Sequence, residues 1–236
     1  MTRDQRPSVI PILLVAAFVV ILNETTMNVA LSSIMTDLGV DERTAQWLTT
    51  AFMLTMAVVI PITGWLLDRL PTRRVFQLAM LSFSVGTLLC MIAPSFAFLL
   101  AGRVVQASGT AIMMPLLMTT VMQLVPANGR GKVMGNISMV ISMAPAVGPT
   151  LSGIILQLGS WRLIFGVVLP IALAMLLLGS RKLGDVGERK LTPLDAVSIP
   201  LTVIAFGPLV YGLSLVGAED VEFWVPMLSI GIGIGG

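Results

Sequence analysis

Two ionisable side chains stand inside long apolar runs. Glu24 lies in FVVILNETTMNVAL, residues 18–31, and Arg103 in LLAGRVVQASGTAIMMP, residues 99–115. A carboxyl group that shares an oily interior with a guanidinium has its proton affinity pulled in opposite senses by burial and by the neighbouring charge. Such a group can bind and release H⁺ as its surroundings change. Asn23, Thr25, Asn28 and Gln106 bring hydrogen-bonding groups to the same stretches, and Met27 and Met113 bring adaptable apolar surface. Two simpler accounts stand beside the chemical one: a structural ion pair, or an arginine that snorkels outward. For the methionines the simpler account is packing against neighbours or lipid. Other chemistries lack their residues. The chain has no histidine and a single cysteine, Cys90, so the usual ligands and nucleophiles of metal and cysteine–histidine sites are missing, and no intrachain disulfide can form.

The elements that must hold these groups are membrane helices. Of the 236 residues, 56% are hydrophobic and 11% charged, where soluble domains run at about 25% charged. Runs of about 20 apolar residues cross a bilayer. By that rule spans are predicted near residues 9–31, 46–67, 75–93, 96–122, 133–157, 161–179 and 196–217, with an eighth beginning near 223. The fold class expected is all-α and polytopic. The basic start followed by an apolar run has the outline of a signal peptide, but no small-x-small site closes it, so it is read as the first retained span. Residues 1–180 form the expected main bundle, 181–195 a charged linker, and 196–236 a further helix and the incomplete start of the next.

The charge pattern sets the orientation. Arg3, Arg6, Arg69, Arg73, Arg74, Arg130, Lys132, Arg181, Lys182, Arg189 and Lys190 fall at the amino terminus and in alternate loops, whereas the opposite loops hold Arg43 and Arg162. Positive loops stay in the cytoplasm, so the amino terminus is expected inside, with Trp47, Trp161 and Trp224 near the outer interface and Trp65 near the inner one. Glu24 is then about 22 Å from the inner end of the first helix, and Arg103 about 10 Å below the outer surface. In a core about 30 Å thick both lie in the outer half, at comparable depth. An unpaired charge there costs about 3 kcal/mol or more, which is why intramembrane ionisable groups mark ion or substrate paths by default.

Four stretches resemble motifs of the major facilitator superfamily, and more narrowly of its 14-helix drug:proton antiporters of the lincomycin-resistance and multidrug efflux type. LNETTMNVALSSI is similar to the helix-1 signature LDxTxxNVALP, with Asn23 at the aspartate position, Glu24 beside it and Ser32 in place of proline. That offset turns the acid by about 100° around the helix. GWLLDRLPTRRVF resembles GxLaDrxGrkxxl: Gly64, Asp68, Arg69 and Arg73 match, while Pro71 replaces a glycine and Thr72 a basic residue. RVVQASGTA is similar to RxxqGxg, with Arg103, Gln106 and Gly109 matching. APAVGPTLSG resembles the antiporter motif gxxxGPxxGG through Gly148, Pro149 and Gly153, and Ala144, Gly148 and Ser152 make a small-residue stripe at i, i+4 spacing.

The resemblance covers the whole chain, which corresponds to the amino-terminal half of such a transporter. It implies a six-helix bundle of two inverted three-helix repeats, headed by helices 1 and 4. It also implies proton coupling through Glu24 and Arg103, a cytoplasmic gate at Gly64, Asp68, Arg69 and Arg73, and export of hydrophobic or amphiphilic compounds from a bacterial cytoplasmic membrane. The implied partners are the lipid bilayer, a small-molecule substrate, protons and a missing carboxyl-terminal half. No cofactor beyond the proton gradient and no nucleic acid is expected, nor is enzyme activity. Uptake of a nutrient or metabolite on the same fold is the alternative, and a non-transport seven-helix protein a weaker one. Reporter fusions test the orientation: phosphatase joined after Ala93 or Gly159 should be active outside the membrane, and cytoplasmic reporters at those positions would overturn it.

Overall fold

A computed structural model of the chain describes residues 6–184, with side chains from residue 9 onward, and the isolated positions 208, 212 and 229. Six helices follow one another: α1 (Arg6–Leu38), α2 (Glu42–Arg69), α3 (Thr72–Met91), α4 (Phe96–Leu124), α5 (Ala127–Leu158) and α6 (Arg162–Lys182). No strand interrupts them among the described residues. All six are long and apolar enough to cross a membrane. Apart from positions 208, 212 and 229, the spans expected at 196–217 and from 223, and the linker beyond residue 184, lie outside the described residues.

Boundaries follow from local chemistry. α1 runs to Leu38 rather than to residue 31. Its last turns look like a loop in the sequence because they carry Ser32, Ser33, Thr36 and Asp37. The Thr36 hydroxyl instead donates to the Ser32 carbonyl at 3.0 Å, which satisfies it within the helix. The stop is Gly39, at φ 63°, where the Val40 N–H donates to the Met35 carbonyl at 3.1 Å. That left-handed closure suits glycine because it has no Cβ to clash. Two residues later Asp41 caps α2 by accepting from the Thr44 N–H at 3.0 Å, and the Thr44 hydrogen bonds hold this exposed carboxyl below the usual carboxylate range. Pro71 and Pro126 start α3 and α5. Prolines inside α2, α4, α5 and α6 are tolerated in membrane helices because neighbours and local adjustments satisfy the freed backbone groups.

The packing has an internal regularity. α4 lies against α3 and α2, α1 lies against α6 and α5, α3 meets α6, and α1 and α4 touch. Exchanging α1–α3 for α4–α6 leaves this set of neighbours unchanged. The tightest seam joins α3 to α4. A Cβ on Gly86 would meet the Gln106 backbone, with Gln106 Cα only 2.6 Å away; one on Gly109 would meet Ala79 and Phe83, and one on Gly102 would sit 2.8 Å from Cys90 Sγ. The helices therefore touch almost backbone to backbone, as small residues allow. Cys90 is buried in this seam, a small apolar residue among others.

Two apolar cores lie along the bundle. One, nearer the basic end, packs Leu13, Ala16 and Val20 of α1 with Phe76, Phe83, Met113 and Leu117. The other packs Met27, Ala30 and Ile34 with Cys90, Leu99, Trp161 and Phe165. A polar clasp closes the far end. The Arg162 Nη1 donates to Asp37 Oδ2 at 2.6 Å and its Nη2 to the Ala93 carbonyl at 2.9 Å, while Trp161 Nε1 donates to the same Asp37 oxygen at 3.0 Å. Trp161, at the end where an outer-interface tryptophan is expected, is 2% exposed beneath this clasp, edge-on to Phe165. The clasp ties the end of α1 to the α3–α4 turn and the start of α6.

The seam predicts a contrast between glycines. Gly86→Ala should destabilise the bundle by about 1–3 kcal/mol through overpacking, read as a lower melting temperature in detergent. Gly135→Ala, with open space around its Cβ, should stay within about 0.5 kcal/mol or gain stability. Equal behaviour of the two variants would show that the close seam does not exist.

Candidate functional site

α1 divides its polar residues between two faces. Asn23 is 1% exposed and points inward, as do Thr26 and Met27. Glu24 is only partly buried, and Asn28 and Ser32, which follow it at i+4 steps, are exposed. The one-residue offset between Asn23 and Glu24 thus has a definite result: the asparagine faces the bundle and the acid faces its open side. Asn23 holds both side-chain polar atoms in the interior without a protein partner.

Arg103 sits on the inner face of α4, 1% exposed. Its Nη1 donates to Gln106 Oε1 at 2.6 Å, Gln106 Nε2 donates to Thr87 Oγ1 at 2.8 Å, and the Thr87 hydroxyl donates to the Phe83 carbonyl at 2.7 Å. The guanidinium carbon lies 3.9 Å from the centre of the Phe52 ring, contributed by α2. A desolvated cation over an aromatic face gains about 2 kcal/mol. Gln106 owes its position to Gly86, since the absent side chain lets α3 come close enough for Thr87 to reach it. Arg103 Nε is buried without a partner.

Glu24 and Arg103 are coupled without touching. Each lies within Coulombic reach of the other, yet no hydrogen bond or ion pair joins them; the Arg162–Asp37 pair lies at the far end. The sequence suggested two charges at comparable depth in one cavity or in a pair. The structure separates their environments, because the guanidinium is bonded to Gln106 and covered by Phe52 while the carboxylate stays on the open side. One hydrogen-bonded amide, itself held by Thr87, and a ring therefore hold the cation, and the acid feels its field.

The other sequence candidates are distributed around this pair. Thr25 belongs to the α1–α5 seam: its hydroxyl donates to the Leu22 carbonyl at 2.9 Å and lies 3.4 Å from the Ala144 carbonyl. A Cβ on Gly148 would collide with Thr25 Oγ1, and one helical turn on, Ser152 Oγ donates to the Thr26 carbonyl at 2.9 Å. The Ala144, Gly148 and Ser152 stripe is thus the buried edge of α5. Pro149 is exposed, and Gly153 has open space where a Cβ would be, so only Gly148 of the three motif residues is required by packing here. Met27 and Met113 are corrected as cavity candidates: both are buried in the apolar cores, at 1% and 0% exposure. Gly64, Asp68 and Arg69 lie in the last two turns of α2 and Arg73 in the first turn of α3, at the basic end and away from Glu24 and Arg103. Asp68 and Arg73 are exposed there, and the Arg69 guanidinium lies 5.0 Å from the centre of the Trp65 ring.

Phe52 and Thr87 escaped the sequence reading. Neither has a local signal, since an aromatic and a threonine are ordinary in membrane helices and only the α2–α4 and α3–α4 contacts bring them to Arg103. The clasp left more of a trace: Arg162 is one of two loop cations at the sparsely charged end and follows a tryptophan.

The sequence matches the Major Facilitator Superfamily over residues 13–236. It is 42% identical over 97% of its length to an MFS-type transporter of Bacillus subtilis (strain 168), YcnB, covering 48% of that protein. It is 37% identical over 98% of its length to the lincomycin resistance protein LmrB of the same organism, covering 49% of it. It is 35% identical over 66% of its length to a multidrug resistance protein B homolog of Mycobacterium tuberculosis (strain H37Rv), covering 29% of it. The chain spans about half the length of the curated relatives that it matches most fully. Among solved structures, a bacterial homolog of the human lysosomal transporter Spinster, inward-facing and unoccupied, superposes with a TM-score of 0.65 at 19% identity, over 99% of this chain and 60% of that one. The human organic anion transporter MFSD10 gives 0.62 at 18%, over 97% and 60%. With six membrane-length helices packed in this way and a family match running through nearly all its length, the chain is a multi-pass membrane protein of the Major Facilitator Superfamily.

Proposed function

We propose that this chain supplies the amino-terminal half of a proton-coupled exporter of hydrophobic or amphiphilic compounds in a bacterial cytoplasmic membrane, with its amino terminus in the cytoplasm. The observation that carries the proposal is the placing of Glu24: a carboxyl on the open side of α1, within the field of a guanidinium that is braced by neutral groups. A carboxylate locked to that guanidinium would have little reason to give up its charge. One that only feels it can gain or lose a proton when the cavity changes its access to water. The relatives named for lincomycin and multidrug resistance support export of drug-like compounds, and the α5 stripe carries the family's antiporter motif at Gly148.

In this scheme the six helices form one of two bodies that rock about a site near the midplane, and a second, carboxyl-terminal bundle supplies the facing wall. Substrate entering from the inside meets Glu24, Asn28 and the exposed residues of the neighbouring helices. Protonation of Glu24 from the outside weakens its hold on the substrate and favours the return of the cavity to the cytoplasmic side. A ligand shifts such an equilibrium only by its difference in affinity for the two states, so coupling needs a group whose proton affinity differs between them. Asp68, Arg69 and Arg73 act as the cytoplasmic latch between the two bodies.

Dye efflux from everted vesicles holding the complete transporter tests the assignment. Glu24→Gln should lower the initial rate driven by a pH gradient about tenfold or more, as the loss of roughly 1.4 kcal/mol of differential affinity would, while substrate exchange without a gradient persists. Undiminished gradient-driven efflux in Glu24→Gln would end the coupling role. The brace makes a separate prediction. Gln106→Leu leaves Arg103 Nη1 without its acceptor and should cost about 1–3 kcal/mol of stability, whereas Thr87→Val, which removes only the outer link, should cost less.

A further inference from the structure

A groove at the basic end of the bundle is unrelated to the Glu24 and Arg103 site. It has a volume of about 270 Å³ and is lined by Leu70, Arg74, Gln77, Leu78 and Leu81. Its polar members lead. Arg74 is in the first turn of α3, Gln77 and Leu78 lie about one turn further, and Leu81 about 10 Å beyond Arg74 at 1.5 Å per residue. Leu78 and Leu81 are 46% and 52% exposed, on a helix long and apolar enough to span the membrane. Arg74 is exposed, and among the described residues neither Arg74 nor Gln77 has a side-chain hydrogen bond or ion pair.

We infer that this groove binds one anionic phospholipid, its phosphate on Arg74 and Gln77 and part of an acyl chain along Leu70, Leu78 and Leu81. The order of the lining matches the order of the lipid: a cation and an amide donor at the interface, then leucines at the depth of the hydrocarbon. Charge complementarity selects the headgroup, because a basic residue at the membrane surface favours anionic over zwitterionic lipid. The groove also lies where the short turn from α2 to α3 carries the gate residues Asp68, Arg69 and Arg73, so a lipid seated there lies beside the moving end of the transporter.

The full-length protein in nanodiscs of phosphatidylglycerol and phosphatidylcholine, with matched acyl chains, tests the site. The readout is the ratio of the two lipids retained in native mass spectrometry. Arg74→Gln should lower the preference for phosphatidylglycerol about fivefold, the worth of one basic residue at an anionic surface. Lys132→Gln, which removes a cation from the same end outside the groove, should leave the ratio unchanged. Leu81→Trp should fill the groove and reduce retention of both lipids, and inorganic phosphate should not compete. Melting temperatures near that of the unmodified protein establish that each variant is folded. An unchanged ratio in Arg74→Gln, or an equal loss in Lys132→Gln, would refute a headgroup site. Unchanged retention in Leu81→Trp would refute the acyl groove, and competition by phosphate would reduce the site to one for a free anion.

Discussion

A guanidinium held in an oily interior without a carboxylate touching it governs the architecture around it. Arg103 is almost wholly buried, and its charge must be stabilised by whatever the helices bring near. Here that is an amide oxygen, an aromatic face and the field of an acid at a distance. Each comes from a different part of the chain, so several packing features follow from this single requirement. Gly86 lets α3 approach until Thr87 orients the Gln106 amide. α2 must cross α4 where Phe52 can cover the cation. α1 must present Glu24 near enough to be felt and far enough away not to be captured.

The rest of the bundle gives that arrangement a firm frame. The glycine seam joins α3 to α4, the Gly148 and Ser152 edge joins α5 to α1, and the Asp37–Arg162 clasp joins the far ends of α1 and α6 to the α3–α4 turn. These are short-range contacts that tolerate little displacement. Exposed surface remains abundant on α2 and α5, and on parts of α1, α3 and α6. In a membrane such surface meets lipid or another protein body, and its apolar character is no anomaly.

Much of this was legible in the residues. Run length and charge placement gave the six described helices to within a few residues at most ends, and the small stripe Ala144, Gly148 and Ser152 lay on a buried edge as its spacing suggested. α1 was read too short because serine, threonine and aspartate signal a loop in water, yet their hydroxyls can return to the helix backbone. Glu24 and Arg103 were visible as charges out of place, but their separation was not, because depth along two helices says nothing about which face each side chain takes. The same gap misled the methionines. Met27 and Met113 had the right composition for a pliant lining, and the rotation of α1 and α4 instead put both into tight cores. Phe52 and Thr87 were beyond reach for the same reason, since their importance exists only across helix contacts.

Phe52 carries one more implication. It belongs to α2, which is held chiefly by α4 and has few buried residues of its own. A slide of α2 by a few ångströms, about the scale at which packed helices shear, would lift the ring from the guanidinium while the glycine seam stayed intact. Without the ring the buried cation would keep the Gln106 amide as its one direct partner, so a helix at the margin of the bundle shares the cost of a charge at its centre.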